Sequence, residues 1–337
     1  MTYASMAEKS LDGQRLSREE MTSILQSPDE DLLQLLHATY SVRKFHFGNQ
    51  VQLQVLMNAK SGLCSEDCAY CSQSSISSAS IEKYPLLAQE QILEGARKAK
   101  EAGAYRYCIV TSGRAPSNPE VQAVSETVQA IKSTTDIEIC CCLGILTEDQ
   151  AQTLKSAGVN RVNHNLNTAE AYHENIVSSH TYEDRVNTIL ICKKVGLDIC
   201  CGGIVGLGET DDNILDLACA LRDLDVDSIP VNFLHPIDGT PLSTVENLTP
   251  QRCLKALCLF RFLNPTKEIR VAGGREHNLR SLQPLALYPA NSLFMEGYLT
   301  TDGQNVEETH RMIEDMGFVV KTVNEDRSQT ELEMLQL

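Results

Sequence analysis

The chain has 337 residues, with 29 Lys and Arg against 45 Asp and Glu and a formal net charge of -16. That length allows one large domain or two ordinary ones with a sizeable core. The negative balance repels phosphate backbones and anionic lipid, so neither nucleic acid nor membrane is expected as a partner. The opening MTYASMAEKSLDGQRLSREE lacks the apolar stretch of a secretory signal, and no segment reaches the ~18 apolar residues of a membrane span. A cytoplasmic chain is expected. In a reducing compartment its 13 cysteines read as metal ligands, redox groups or buried hydrophobes rather than disulfides.

Two helix starts of the capping-box kind come first, Ser17 three residues before Glu20 and Ser27 three before Glu30, so two amphipathic helices are expected in an N-terminal extension, 1–50. From residue 51 short apolar runs follow: VQLQVLMNA, YRYCIVTSG, IEICCCLG, RVNHNLN, DICCGGIVGLG, SIPVNFLH, EIRVAGG and NSLFMEG. Between them lie stretches with apolar residues at three- and four-residue steps, such as AQEQILEGARKAKEAG, TEDQAQTLKSAG and TPQRCLKALCLFRFLN. Eight strand candidates alternating with helices predict an α/β fold, a (βα)8 TIM-type barrel over 51–322. A polar tail, 323–337, closes the chain.

Active sites of such barrels lie in the loops after the strands. The loop after the first strand reads SGLCSEDCAYCSQSS, with Cys64, Cys68 and Cys71 in eight positions. A structural zinc site needs a fourth ligand that this loop lacks. Simple packing is disfavoured by the serines and by Glu66 and Asp67 around the thiols. The remaining reading is a four-iron, four-sulfur cluster held by three thiolates, leaving one iron open to a small molecule. The spacing C-x3-C-x2-C resembles that of radical S-adenosylmethionine enzymes, whose cofactor binds that iron, and Tyr70 matches the motif's aromatic position near the adenine.

Deeper in the barrel, Cys108, Cys140, Cys200 and Arg270 each fall within a predicted strand, where a side chain of the correct parity points inward. Any one of these thiols could be a small buried hydrophobe. Four such groups on four strands call for a partner, and a second metal centre is expected. The motifs KSGLCSEDCAYCSQS, NHNLNT, CCGGIVGLGET, IPVNFLHPIDGTPL and EIRVAGGRE together resemble those of the biotin synthase family, in order and spacing, over nearly the whole chain.

That resemblance implies that Cys108, Cys140, Cys200 and Arg270 hold a two-iron, two-sulfur cluster. Arginine is an unusual ligand, because its guanidinium normally stays protonated. It implies further that Arg185 pairs with the carboxylate of S-adenosyl-L-methionine, that Ile204 lies beside its adenine, and that Asn165 and Asn232 hold the ureido ring of dethiobiotin, Asn165 touching the cofactor as well. Asn167 stands where some members carry an aspartate for the ribose. Strand alternation puts Cys141 opposite Cys140 and Cys142, and Cys201 opposite Cys200. These extra cysteines, with Cys192, Cys219, Cys253 and Cys258 on predicted helices, read as packing, as does His164 between Asn163 and Asn165.

By the same resemblance the reaction is the last step of biotin biosynthesis: a 5'-deoxyadenosyl radical removes hydrogen from dethiobiotin and the inner cluster supplies sulfur. A homodimer and an electron donor such as flavodoxin or ferredoxin are expected on that basis. Three alternatives stay open: another radical barrel enzyme of the lipoyl synthase or methylornithine synthase kind, a non-catalytic iron-sulfur scaffold, and a zinc-stabilised barrel.

Overall fold

The computed structural model describes residues 2–301 and 303–323. Three helices precede the barrel: α1 (Tyr3–Leu11), α2 (Arg18–Leu25) and α3 (Leu32–Phe47). The Ser17–Glu20 cap forms as the sequence predicts. The one expected at Ser27 does not. Its hydroxyl instead donates to the Ile24 carbonyl at 2.9 Å, finishing α2, and a short 3-10 turn, Asp29–Asp31, leads into α3. Helix α1 is the unexpected third. It begins on a reciprocal cap between Thr2 and Ser5, whose serine lacks the Glu or Gln that makes a capping box legible.

The barrel strands are β1 (Gln50–Lys60), β2 (Arg106–Thr111), β3 (Glu138–Cys142), β4 (Arg161–Asn163), β5 (Asp198–Cys200), β6 (Gly203–Val205), β7 (Ser228–Phe233), β8 (Glu268–Val271) and β9 (Ser292–Phe294). All pair in parallel, and β1 pairs with β9, so the ring closes. The strands β5 and β6 both pair with β7 and together form one stave, giving the predicted eight. The break between them corrects the single strand expected over DICCGGIVGLG, and it has a steric cause. A Cβ at Gly202 would lie 1.9 Å from the Pro230 carbonyl oxygen, while the backbone of Gly202 is taken up by Asn165 and Asn167. Outside the ring, β10 (Val319–Val320) pairs with the start of β1. Two residues carry no periodicity, and the sequence gives no sign of it.

The three helical stretches quoted from the sequence form Gln89–Glu101, Glu148–Ser156 and Pro250–Leu263. Between the helices and the staves lies the main apolar core, which takes the outward strand residues Tyr107, Ile109, Ile139, Cys141 and Ile199, and Cys201 just past β5. Each fully buried side chain of this kind contributes about 1.5–3 kcal/mol. Cys108, Cys140 and Cys200 fall on the other face and gather in a separate cluster inside the ring. Of the predicted tail, Val323 is buried and 324–337 lie outside the described residues. Among the described residues no helix is long and apolar enough to cross a membrane.

Candidate active site

The inside of the barrel is filled in layers, and its floor is ionic rather than aliphatic. Glu268, at the start of β8, accepts from Gln54 of β1 (2.6 Å), Arg270 (2.5 Å), Arg161 of β4 (2.6 Å) and Arg106 of β2 (3.3 Å). Burial alone would raise its pKa, but Arg270, Arg161 and Arg106 outweigh it and hold the carboxyl well below its ordinary range. Three guanidinium groups against one buried carboxylate leave this floor with an excess of positive charge.

One layer up, Cys108, Cys140 and Cys200 come together with Arg270, as their parity predicts. Arg270 Nη1 donates to Cys200 Sγ at 3.4 Å, Nη2 to Ser228 Oγ at 2.8 Å, and Nε to Ser292 Oγ at 3.3 Å. Burial opposes its charge, yet Glu268, Cys200 and Cys108 raise its pKa. The Cys140 thiol is pushed well above its ordinary value by its contact with Cys108 and by burial. Three soft thiols beside one nitrogen donor set suit iron in their chemistry, and thiols bind such metals only on losing their protons.

Above this layer a cavity of about 300 Å³ opens to the mouth. Every candidate residue lines it except Cys200, which lies just beneath, bonded at 3.2 Å by Asn163 Nδ2. The loop after β1 brings Cys64, Cys68, Tyr70 and Cys71 to the rim. Burial pushes the Cys68 thiol up to about 12, with Arg185 pulling the other way, and burial raises Cys71 too. Ile204 joins Cys68, Tyr70 and Leu207 in an apolar patch suited to a flat heterocycle. Among the described residues no three Cys, His, Asp or Glu side chains converge as ligands of one ion. Thiols spaced around a loop suit the separate corners of a cluster better than the tight tetrahedron of zinc.

The amides are partly committed, which defines what they can still do. Asn165 Oδ1 accepts from Gly202 N (3.0 Å) and Asn163 Nδ2 (3.1 Å), filling its acceptor capacity and leaving Nδ2 to donate. Asn232 gives one hydrogen to Gly203 O (3.0 Å) and takes one from Gly273 N (2.9 Å), so one donor and one acceptor site remain. Asn167 adopts φ 70°, a left-handed geometry that asparagine tolerates, and donates to Tyr70 Oη at 2.7 Å. Arg185 Nη1 donates to the Asn165 carbonyl at 2.8 Å.

His164 corrects the sequence reading. Expected to pack, its buried ring follows the end of β4 at Asn163 and lines the cavity with Nε2 unpartnered. Burial, with Arg185 and His180 nearby, holds it neutral. Sequence reasoning also missed a strap at the rim. Asp67 accepts from the backbone of Ser178 and Ser179 (both 3.0 Å), and Glu66 accepts from Ser179 Oγ (2.8 Å) and meets the His180 ring. Only a carboxylate pair between two cysteines hinted at it.

A model of the Radical SAM superfamily matches residues 60–219, and one of the Biotin and Thiamin Synthesis associated domain matches residues 230–319. The first ends in the helix Asp211–Asp223 and the second begins within β7, so the first carries all the thiols of the site and the second carries Asn232 and Arg270. The chain is 55% identical over 323 residues to biotin synthase of Bacillus licheniformis, covering 96% of this chain and 97% of that one. It is 54% identical to that of Bacillus subtilis strain 168, covering 96% of each. Among solved structures, methylornithine synthase superposes with TM-score 0.85 at 20% identity, covering 96% of this chain and 99% of that one. The hydrogenase maturase HydG of Carboxydothermus hydrogenoformans gives 0.79 at 18% identity, covering 95% and 79%. These two share the barrel, and at that identity they speak to the fold alone. With over half its residues shared with the Bacillus enzymes along nearly its full length, the chain belongs to the biotin synthase family of radical S-adenosylmethionine sulfurtransferases, which form biotin from dethiobiotin.

Proposed function

We propose that the two layers of the barrel divide the reaction between them, radical generation at the rim and sulfur donation beneath it. Cys64, Cys68 and Cys71 hold a four-iron, four-sulfur cluster, and Cys108, Cys140, Cys200 and Arg270 hold a two-iron, two-sulfur cluster. When bound, the first supplies the electron that splits S-adenosyl-L-methionine, and the second supplies sulfide to the substrate carbon.

The protein's own part is binding and exclusion. Arg185 pairs with the cofactor carboxylate through a fork of donors. Tyr70 and Ile204 flank the adenine, and Asn167, its amide already tied to Tyr70, faces the ribose hydroxyls. Asn165, left as a donor, gives hydrogen bonds to the cofactor and to the urea oxygen of dethiobiotin. Asn232 offers the urea its remaining donor and acceptor. Substrate held by these amides lies between rim and inner layer, shielded from water. The homodimer, the cytoplasmic location and reduction by a flavodoxin or ferredoxin rest on family membership.

One observation carries this reading: three thiols and a guanidinium from four separate staves meet inside the barrel, at the base of the cavity. Rebuilding the inner cluster with isotopically labelled sulfide and running one turnover in unlabelled buffer should give labelled biotin. Unlabelled biotin with the inner cluster intact would overturn sulfur donation from that site.

A further inference from the structure

The roles above leave one buried ring of the rim unused. His180 precedes the helix Tyr182–Lys194, which carries Arg185, and it is 6% exposed. Arg185 Nε donates to His180 Nε2 at 2.7 Å. A guanidinium Nε has a hydrogen to give and no lone pair to offer, so His180 Nε2 must be bare. The ring proton then sits on Nδ1, which faces the Glu66 carboxylate. Glu66 lies between Cys64 and Cys68 and is itself held by Ser179 Oγ (2.8 Å) and Arg114 Nη1 (3.5 Å). From the other side, His173 Nε2 meets the His180 carbonyl oxygen at 3.1 Å and the two rings pack edge to face at 5.4 Å.

We infer that His180 is a positioning residue: in a single neutral tautomer it ties the back of the Arg185 fork to the loop that carries Cys64 and Cys68. With Nε spent on His180 and one Nη1 hydrogen on the Asn165 carbonyl, Arg185 keeps Nη2 and its other Nη1 hydrogen for a carboxylate. The carboxylate clamp and the cluster loop are thereby set at a fixed separation. Partners of this kind, one step removed from a bound group, typically alter affinity by 10–100-fold when removed. The inference rests on the reading of Arg185 as the cofactor's carboxylate partner.

Two kinds of measurement test it. In the full-length, iron-free chain labelled with 15N at histidine and arginine, the His180 ring should show hydrogen on Nδ1 and a bare Nε2, and the Arg185 Nε hydrogen should exchange slowly. Hydrogen on Nε2 would overturn the relay, whatever the cofactor does. In the loaded enzyme, His180→Gln places an amide oxygen near the position of Nε2 and should keep S-adenosylmethionine affinity within about threefold, whereas His180→Asn reaches only toward Glu66 and should weaken it about tenfold, as should His180→Phe. Equal effects of Gln and Asn would reduce His180 to a packing residue. If Arg185→Ala itself left cofactor affinity unchanged, both the clamp and the relay would fall; an effect of Arg185→Ala without one of His180→Phe would sink the relay alone.

Discussion

At the rim of the barrel three thiols come from eight consecutive positions, Cys64 to Cys71, and the loop is shaped by its own backbone and by a strap, 176–180, laid across it. At the floor a single carboxylate, Glu268, is met by side chains from β1, β2, β4 and β8. The rim is thus a local device on a finished scaffold, while the floor is part of what makes the scaffold close. Damage to the rim should remove chemistry and spare the fold. Damage to the floor should do the reverse.

The sharpest test of this contrast is Cys68→Ser. It should reduce formation of 5'-deoxyadenosine to background, while the urea unfolding free energy of the iron-free chain falls by no more than about 1–3 kcal/mol, the cost of placing a hydroxyl in the apolar patch around Cys68. Normal cofactor cleavage by this variant would mean that the rim loop does not hold the cluster.

At the floor, Glu268→Gln removes the buried counter-charge shared by Arg270, Arg161 and Arg106, leaving only the exposed Asp198, 3.8 Å from Arg161. Breaking a buried ionic network in this way costs about 3–5 kcal/mol. Unfolding of the iron-free variant should show a loss of that order; a loss below about 1 kcal/mol would make the floor as dispensable as the rim.

Arg185→Ala returns to the rim with a smaller effect. Loss of a charge-assisted pair should weaken S-adenosylmethionine binding by about 1.5–3 kcal/mol, much more than dethiobiotin binding in the absence of cofactor. Equal loss for both ligands would point to a disturbed cavity instead. The smallest effect belongs to the ion pair Lys60–Glu120 at 2.7 Å, beside the exit of β1. The contact with Lys60 lowers the Glu120 pKa from 4.5 to about 2. A carboxyl with a depressed pKa stabilises the fold above its unfolded value, so the contribution, about 0.2–1 kcal/mol, is fully present above pH 4.5 and is lost as pH falls toward 2. Glu120→Gln should flatten the stability profile in that window and nowhere else.

The same contrast explains what could be read in advance. The rim thiols were legible because they are contiguous, and the eight staves because each carries its own apolar run. Parity sorted Cys140 from Cys141 within β3, and it also held for Cys201, one residue past β5, whose N–H still donates to the Ser228 carbonyl of β7. It failed at His164, which lies one residue past the end of β4 and lines the cavity. The floor was half visible: Glu268 stands two positions before Arg270 and so shares its face, but nothing in the sequence pairs it with Arg106 or Arg161. The Glu66–His180 contact spans 114 positions and joins two loops, where no period exists to betray it. Helix α1 escaped because its cap is made of two weak residues.

Closure through β1 and β9 also sets an order in time. On a chain emerging from the ribosome, the rim cysteines are available early, whereas Gln54 must wait for Glu268 and Ser292, 214 and 238 positions later, before the floor can seal. Bringing such distant segments together is the slow, entropically costly part of assembling this topology. The inner chamber is therefore the last part of the molecule to exist. Under the proposed ligation, iron and sulfur for it must reach a completed chain, through the mouth that the rim surrounds.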